Sequence, residues 1–126
     1  GVRVDILLPS SGNISMAQGA SRAMLWQLLR PGCRVYLSPP PFDHAKLMVV
    51  DSSWALIGTT NWDARSLRLN FELNVECYSI ELGARMDGLV QARLNGAREV
   101  TSAEVEGRSL PVKLRDAVAR LFAPFL

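Results

Sequence analysis

Two short bulky runs, Ala-Lys-Leu-Met-Val-Val-Asp at 45–51 and Trp-Ala-Leu-Ile-Gly-Thr at 54–59, flank the polar step Asp51-Ser52-Ser53. They predict two strands joined by a tight turn. A third segment, 70–78, alternates with period two, which is the strand pattern. Phe71, Leu73, Val75 and Cys77 share one face and are expected to pack on a core; Asn70, Glu72, Asn74 and Glu76 share the other.

Helical spacing takes over elsewhere. Residues 2–8 read as a strand, followed by the loop Ser10-Ser11-Gly12-Asn13 with a helix cap. A helix is predicted over 15–30, with Met24, Leu25, Leu28 and Leu29 inward and Pro31-Gly32 as its stop. Residues 34–37 form a short strand, Pro39-Pro40-Pro41 a stiff loop, and 63–67 a helical turn. A second long helix covers 80–95, its apolar set being Leu82, Met86, Leu89, Val90 and Leu94. Residues 96–108 form a connector to which the pattern assigns no element. A last helix carries Leu114, Ala117, Val118, Leu121, Phe122 and Phe125 on one side, with Lys113, Arg115 and Arg120 on others. That stripe fits a helix packed on a sheet; the alternative is a basic amphipathic surface lying on anionic lipid. Strands alternating with helices give an α/β fold, a mixed β-sheet flanked by helices.

At 126 residues, 48% hydrophobic, the chain is read as a single globular domain (1–126) with enough residues for a core. A net charge of +2 without a dense basic run gives no electrostatic footprint for nucleic acid. Cys33 and Cys77 lack metal-ligand spacing, and one histidine leaves no zinc set, so no metal or cofactor is expected. The two cysteines read as small hydrophobes in or near strands, which suits a reducing compartment. No apolar run approaches the roughly 20 residues that cross a bilayer.

The chemistry concentrates after the proline loop. His44, the only histidine, stands two residues from Lys46; Asp51, Gly58, Thr59 and Asn61 complete H-x-K-x4-D-x6-G-T-x-N. Next-nearest side chains on a strand lie roughly 6.5–7 Å apart on one face. His44 and Lys46 are therefore expected to reach the same phosphate. Asp51 has the opposite parity and falls at the turn, which gives it a structural role. Gly58 lets a ligand approach the backbone closely. A histidine acting as nucleophile or acid needs its second ring nitrogen fixed by an acceptor. A carboxylate of the 70–78 polar face can supply it; the bland reading of that face is a solvated strand surface.

His44, Lys46, Asp51, Gly58, Thr59 and Asn61 match the HKD motif of the phospholipase D superfamily, with Thr59 where serine is more usual. The stretch 58–66, followed by Asn70-Phe71-Glu72-Leu73-Asn74, resembles the C-terminal HKD half of bacterial cardiolipin synthases. The flank 42–51 and the ending Leu121-Phe122-Ala123-Pro124-Phe125-Leu126 point the same way. The resemblance implies a phospholipase D-like α-β-α sandwich, incomplete here at its N-terminus, and hence a fragment of a longer enzyme with two motifs. It implies that the histidine forms a phosphohistidine, that Lys46 and Asn61 bind the non-bridging oxygens, and that Glu72 hydrogen-bonds His44. Arg65 pairs with a headgroup phosphate or with a neighbouring carboxylate. Trp62 reads as a packing residue rather than a lipid contact.

The implied activity is phosphatidyl transfer, as in cardiolipin synthesis from phosphatidylglycerol, with a second alcohol or water releasing the covalent intermediate. A second histidine must then protonate the leaving oxygen. It is expected from another HKD half, in the same full-length chain or a dimer mate, so the isolated chain should have little activity. The expected partners are a phospholipid substrate and a membrane surface, at the cytoplasmic face of the bacterial inner membrane, peripheral or anchored by a segment outside this chain. A phospholipase D-type hydrolase or a nucleic-acid phosphodiesterase shares the same chemistry. A non-catalytic docking module is the remaining alternative.

Overall fold

The computed structural model describes residues 1–10, 15–41, 43–63 and 66–121, with the backbone alone over 15–20. The expected cap and loop at Ser11-Gly12-Asn13, Arg65, and Phe122, Phe125 and Leu126 lie outside the described residues. The chain divides into two compact units, Gly1–Phe42 with Gly96–Leu126, and Asp43–Asn95.

In the first unit, β1 (Asp5–Pro9) runs parallel to β2 (Arg34–Ser38), and β6 (Arg98–Val100) pairs antiparallel on the other side of β2. Helix α1 (Ser15–Leu29) connects the two parallel strands, as a βαβ crossover requires. It stops where expected: Gly32 adopts φ 90°, and the amides of Gly32 and Cys33 donate to the carbonyls of Leu29 and Leu28. The core is Leu25, Val35, Val100 and Val105, with Leu28, Leu29, Ile6, Leu8 and Leu37 against it. Met24, expected inward, is largely exposed. Asp5 reaches across to Arg34 with two hydrogen bonds of 2.6 and 2.8 Å, fastening β1 to β2.

The 96–108 connector contains β6 and a short helix, α3 (Ser102–Glu106). A signal was present: Thr101 stands three residues before Glu104, and its hydroxyl accepts from the Glu104 amide as an N-cap.

Helix α4 (Leu110–Leu121) packs along α1, but with a different face inward from that expected. Asp116 and Ala119 are buried, whereas Leu114, Val118 and Leu121 point to solvent. Asp116 takes the inner position because it is neutralised there, by Arg108 at 3.0 Å and Arg115 at 2.8 Å. Ala119, one turn on, is small enough to allow close helix approach. The reading of the leucine stripe as a face packed on the sheet is thereby overturned.

The second unit is an antiparallel meander, β3 (Lys46–Val50), β4 (Trp54–Gly58) and β5 (Asn74–Tyr78), covered by α2 (Ile80–Asn95). Asp51 and Ser52 both take φ 49°, the left-handed pair that a tight hairpin needs, and the Ser53 amide donates to the Val50 carbonyl. Ser79 caps α2 through its hydroxyl. Gly83 then sits where a Cβ would fall 2.6 Å from the Ser52 carbonyl group, so helix and turn can touch only through glycine. Ser52 donates to Asp87 at 2.9 Å and completes the joint.

The apolar face of β5 departs from expectation. Ala55 is buried and its cross-strand partner Cys77 half-buried, but Val75, Leu73 and Phe71 become progressively exposed. Helix α2 starts at the hairpin end of the sheet, where Gly83 meets Ser52. Residues 70–73 are also not strand, since pairing with β4 begins at Asn74. Leu89 of α2 is likewise exposed. Cys33 and Cys77 are free thiols, half-buried. Among the described residues, no helix is long and apolar enough to cross a membrane.

Candidate functional site

Lys46 opens β3, and His44 precedes the strand by two residues. Asp43 shapes that approach by accepting from the Ala45 amide at 2.9 Å and pairing with Arg93 in the last turn of α2. The two expected partners lie together. Lys46 Nζ is 2.6 Å from His44 Nδ1 and donates to the His44 carbonyl at 2.7 Å. An ammonium can only donate, so Nδ1 is the acceptor and the ring proton belongs on Nε2. The imidazole is exposed to solvent.

Three side-by-side backbone positions set the floor of the site. Lys46 pairs with Gly58, and Gly58 with Asn74. A Cβ on Gly58 would stand 2.0 Å from Asn74 Oδ1 and 2.5 Å from the Leu73 carbonyl oxygen. The glycine thus admits the Asn74 side chain over β4, where its amide donates to Thr60 Oγ1 at 2.7 Å. The close approach expected at Gly58 is made by Asn74 itself. Thr60 is buried and Asn61 exposed, in keeping with the alternating parity of that segment. Lys46, Thr60 and Asn74, together with Met48, Trp62 and Leu67, line a cleft of about 100 Å³.

Glu72 is held by neighbours that the sequence places in the same signature. Its carboxylate accepts from Thr59 Oγ1 at 2.6 Å and from Asn70 Nδ2 at 3.2 Å. Thr59 Oγ1 also accepts from the Leu73 amide at 3.0 Å, and the Thr59 amide donates to the Leu73 carbonyl. Asn70 reaches Ser66 Oγ, and the Ser66 amide donates to Asp63 Oδ1 at 2.7 Å. The turn expected at 63–67 is closed by the Leu67 amide on the Asp63 carbonyl. Asp63, Ser66, Asn70, Glu72 and Thr59 therefore form one hydrogen-bonded chain that fixes the Glu72 carboxylate.

The electrostatics follow from these contacts. The Thr59 hydroxyl, then Asn70, hold the Glu72 pKa below its ordinary 4.5, so it is ionised at neutral pH. Partial burial lowers the Lys46 pKa from its ordinary 10.5, opposed by the charges of Glu72 and Asp63. The Lys46 ammonium thus contacts the imidazole and feels the charges of two carboxylates, Glu72 and Asp63. Among the described residues, no group of three His, Cys, Asp or Glu side chains could hold a metal ion.

Sequence reasoning missed Asn74 and Thr60 as parts of the site. Asn74 lay in the polar stripe of 70–78, but only the register against Gly58 singles it out. Thr59, expected to bind substrate, is occupied with Glu72 and Leu73. Asp51 sits at the hairpin turn, as its parity required.

A family model described as "Cardiolipin synthase, PLD-like domain" matches residues 1–93. The major cardiolipin synthase of Bacillus subtilis is 34% identical over all 126 residues, which cover 26% of its length. Cardiolipin synthases of Oceanobacillus iheyensis and Listeria monocytogenes are each 31% identical over the same span. The chain spans about a quarter of the length of the curated relatives it matches.

Proposed function

The chain belongs to the PLD-like domain family of cardiolipin synthases, and from that premise we propose that it supplies one of two HKD half-sites of a phosphatidyltransferase acting on phosphatidylglycerol. The observation that carries the proposal is the contact between Lys46 Nζ and His44 Nδ1, with the charge of Glu72 acting on the same ammonium. One imidazole of the pair attacks phosphorus; the P–N bond forms as the P–O bond to the departing glycerol breaks. The imidazole of the other half protonates that oxygen, then deprotonates the incoming alcohol. Lys46 and Asn61 bind the non-bridging oxygens, where negative charge accumulates in the transition state. For Nε2 to attack, the ring proton must first pass through solvent from Nε2 to Nδ1; Glu72 then accepts a hydrogen bond from Nδ1–H once Lys46 has turned from the ring to the phosphate. Thr59 acts through Glu72, as a positioning residue. Gly58 keeps the floor open for Asn74, and Arg65 is assigned to the headgroup side. The phospholipid substrate and the second half are the partners this chemistry requires.

The test is a chimera in which this chain replaces the matching quarter of a cardiolipin synthase. Cardiolipin formation from phosphatidylglycerol should fall by at least roughly a thousand-fold on His44→Ala, the scale of losing a catalytic nucleophile or acid. Retained turnover would leave the chain a docking module. Plasmid DNA offered in parallel should remain uncut.

A further inference from the structure

Helix α4 presents the apolar stripe that ordinary packing would bury. Leu110 is 80% exposed, Leu114 69%, Val118 47% and Leu121 74%, while Asp116 is 1% exposed on the opposite face. These four apolar residues recur at helical spacing and form one continuous outward ridge. Asp116 is the only acidic residue of the helix, and it faces inward between two guanidiniums. Lys113 and Arg120 project from one flank of the ridge and Arg115 from the other, by their positions on the helical wheel. Lys113 Nζ donates to the Glu106 carbonyl, a neutral acceptor that leaves its charge in place. The outward half of α4 thus carries hydrocarbon bordered by cations and no carboxylate.

We propose that α4 is an interfacial helix that lies on an anionic lipid surface. The leucine ridge enters the boundary between headgroups and acyl chains, and Lys113 and Arg120 meet the lipid phosphates. Charge complementarity selects this occupant. A second copy of α4 would set these cations against each other, and a neutral surface would leave them without partners. The buried Asp116 is the device that turns the ridge outward, because Arg108 pairs with it and also donates to the Arg22 carbonyl of α1. This surface stands independently of the chemistry at His44.

The experiment is vesicle co-sedimentation of the purified 126-residue protein, using phosphatidylglycerol-containing vesicles and pure phosphatidylcholine vesicles. Wild type should partition at least ten-fold more strongly onto the anionic vesicles, and added salt should weaken that binding. Leu114→Ser with Leu121→Ser should reduce partitioning at least ten-fold without lowering the melting temperature, since both side chains already face water. Lys113→Gln with Arg120→Gln changes only surface charge and should remove most of the preference for anionic vesicles. Equal binding to both vesicle types, or none, overturns the proposal. So does a wild-type dimer in light scattering that the serine pair dissociates while vesicle binding is absent, which would make a second copy the occupant.

Discussion

Lys46 Nζ and His44 Nδ1 stand 2.6 Å apart, so the site's cation rests on the ring nitrogen that the proposed mechanism gives to Glu72 during attack. A phosphate arriving between them gives the ammonium a better acceptor and frees Nδ1 to carry a proton toward Glu72. Lys46→Met should therefore reduce kcat strongly, by roughly a thousand-fold, because it removes charge from the transition state. Lys46→Arg should recover only a small part, because a planar fork cannot replace a compact ammonium against the ring. Steady-state kinetics of the chimera with both variants checks this.

The Thr59–Glu72 hydrogen bond makes a sharper prediction. Thr59→Val should move the Glu72 pKa up toward its ordinary 4.5, because the largest cause of its depression is removed. Turnover should fall roughly ten-fold, the scale of one charge-assisted hydrogen bond. Thr59→Ser should keep both the low pKa and the rate. Carboxyl NMR titration beside the rate measurement distinguishes positioning of Glu72 from direct substrate binding.

Gly58→Ala places a methyl group against Asn74 and the Leu73 carbonyl. Two of the clashing neighbours are backbone atoms, so little relaxation is available. We expect a loss of about 2 kcal/mol of stability, together with loss of the Asn74–Thr60 bond. Thermal unfolding of the variant measures the first, and the amide resonances of Asn74 the second.

Acid should loosen the first unit through Asp5. Its pKa lies below its ordinary 3.8, chiefly because Arg34 hydrogen-bonds it, with burial opposing. A depressed carboxyl pKa contributes stability that is present above the unfolded value and lost as pH falls through the folded one. Melting temperature should therefore drop below pH 3.8. Asp5→Asn should be less stable at pH 6, by about 1–2 kcal/mol for a half-exposed charged pair, and show a smaller acid drop.

Removal of the Asp116 carboxylate leaves two guanidiniums facing each other beside α1. Asp116→Ala should destabilise the protein by about 3 kcal/mol. Denaturant unfolding provides the check, and Arg115→Ala should cost far less because Arg108 remains at 3.0 Å.

The sequence by itself determined most of the elements and the His44–Lys46 pairing. Bulky runs around a polar turn located β3 and β4, period-two alternation located β5, helical spacing located α1 and α2, and the His44–Lys46 spacing put both groups on one side. These are local properties, set by backbone periodicity and reach. Tertiary structure decided what periodicity cannot carry. Register against β4 brought Asn74 over Gly58, a contact between residues far apart in sequence. Folding of 63–73 onto Thr59 turned a string of polar residues into the hydrogen-bonded chain that fixes Glu72. In α4 the two levels disagreed. Hydrophobicity predicted which face to bury, but Asp116 and Ala119 face inward, with the carboxylate paired to two arginines. An apolar stripe states that a helix has two faces. Which face goes inward depends on the charges that meet it there.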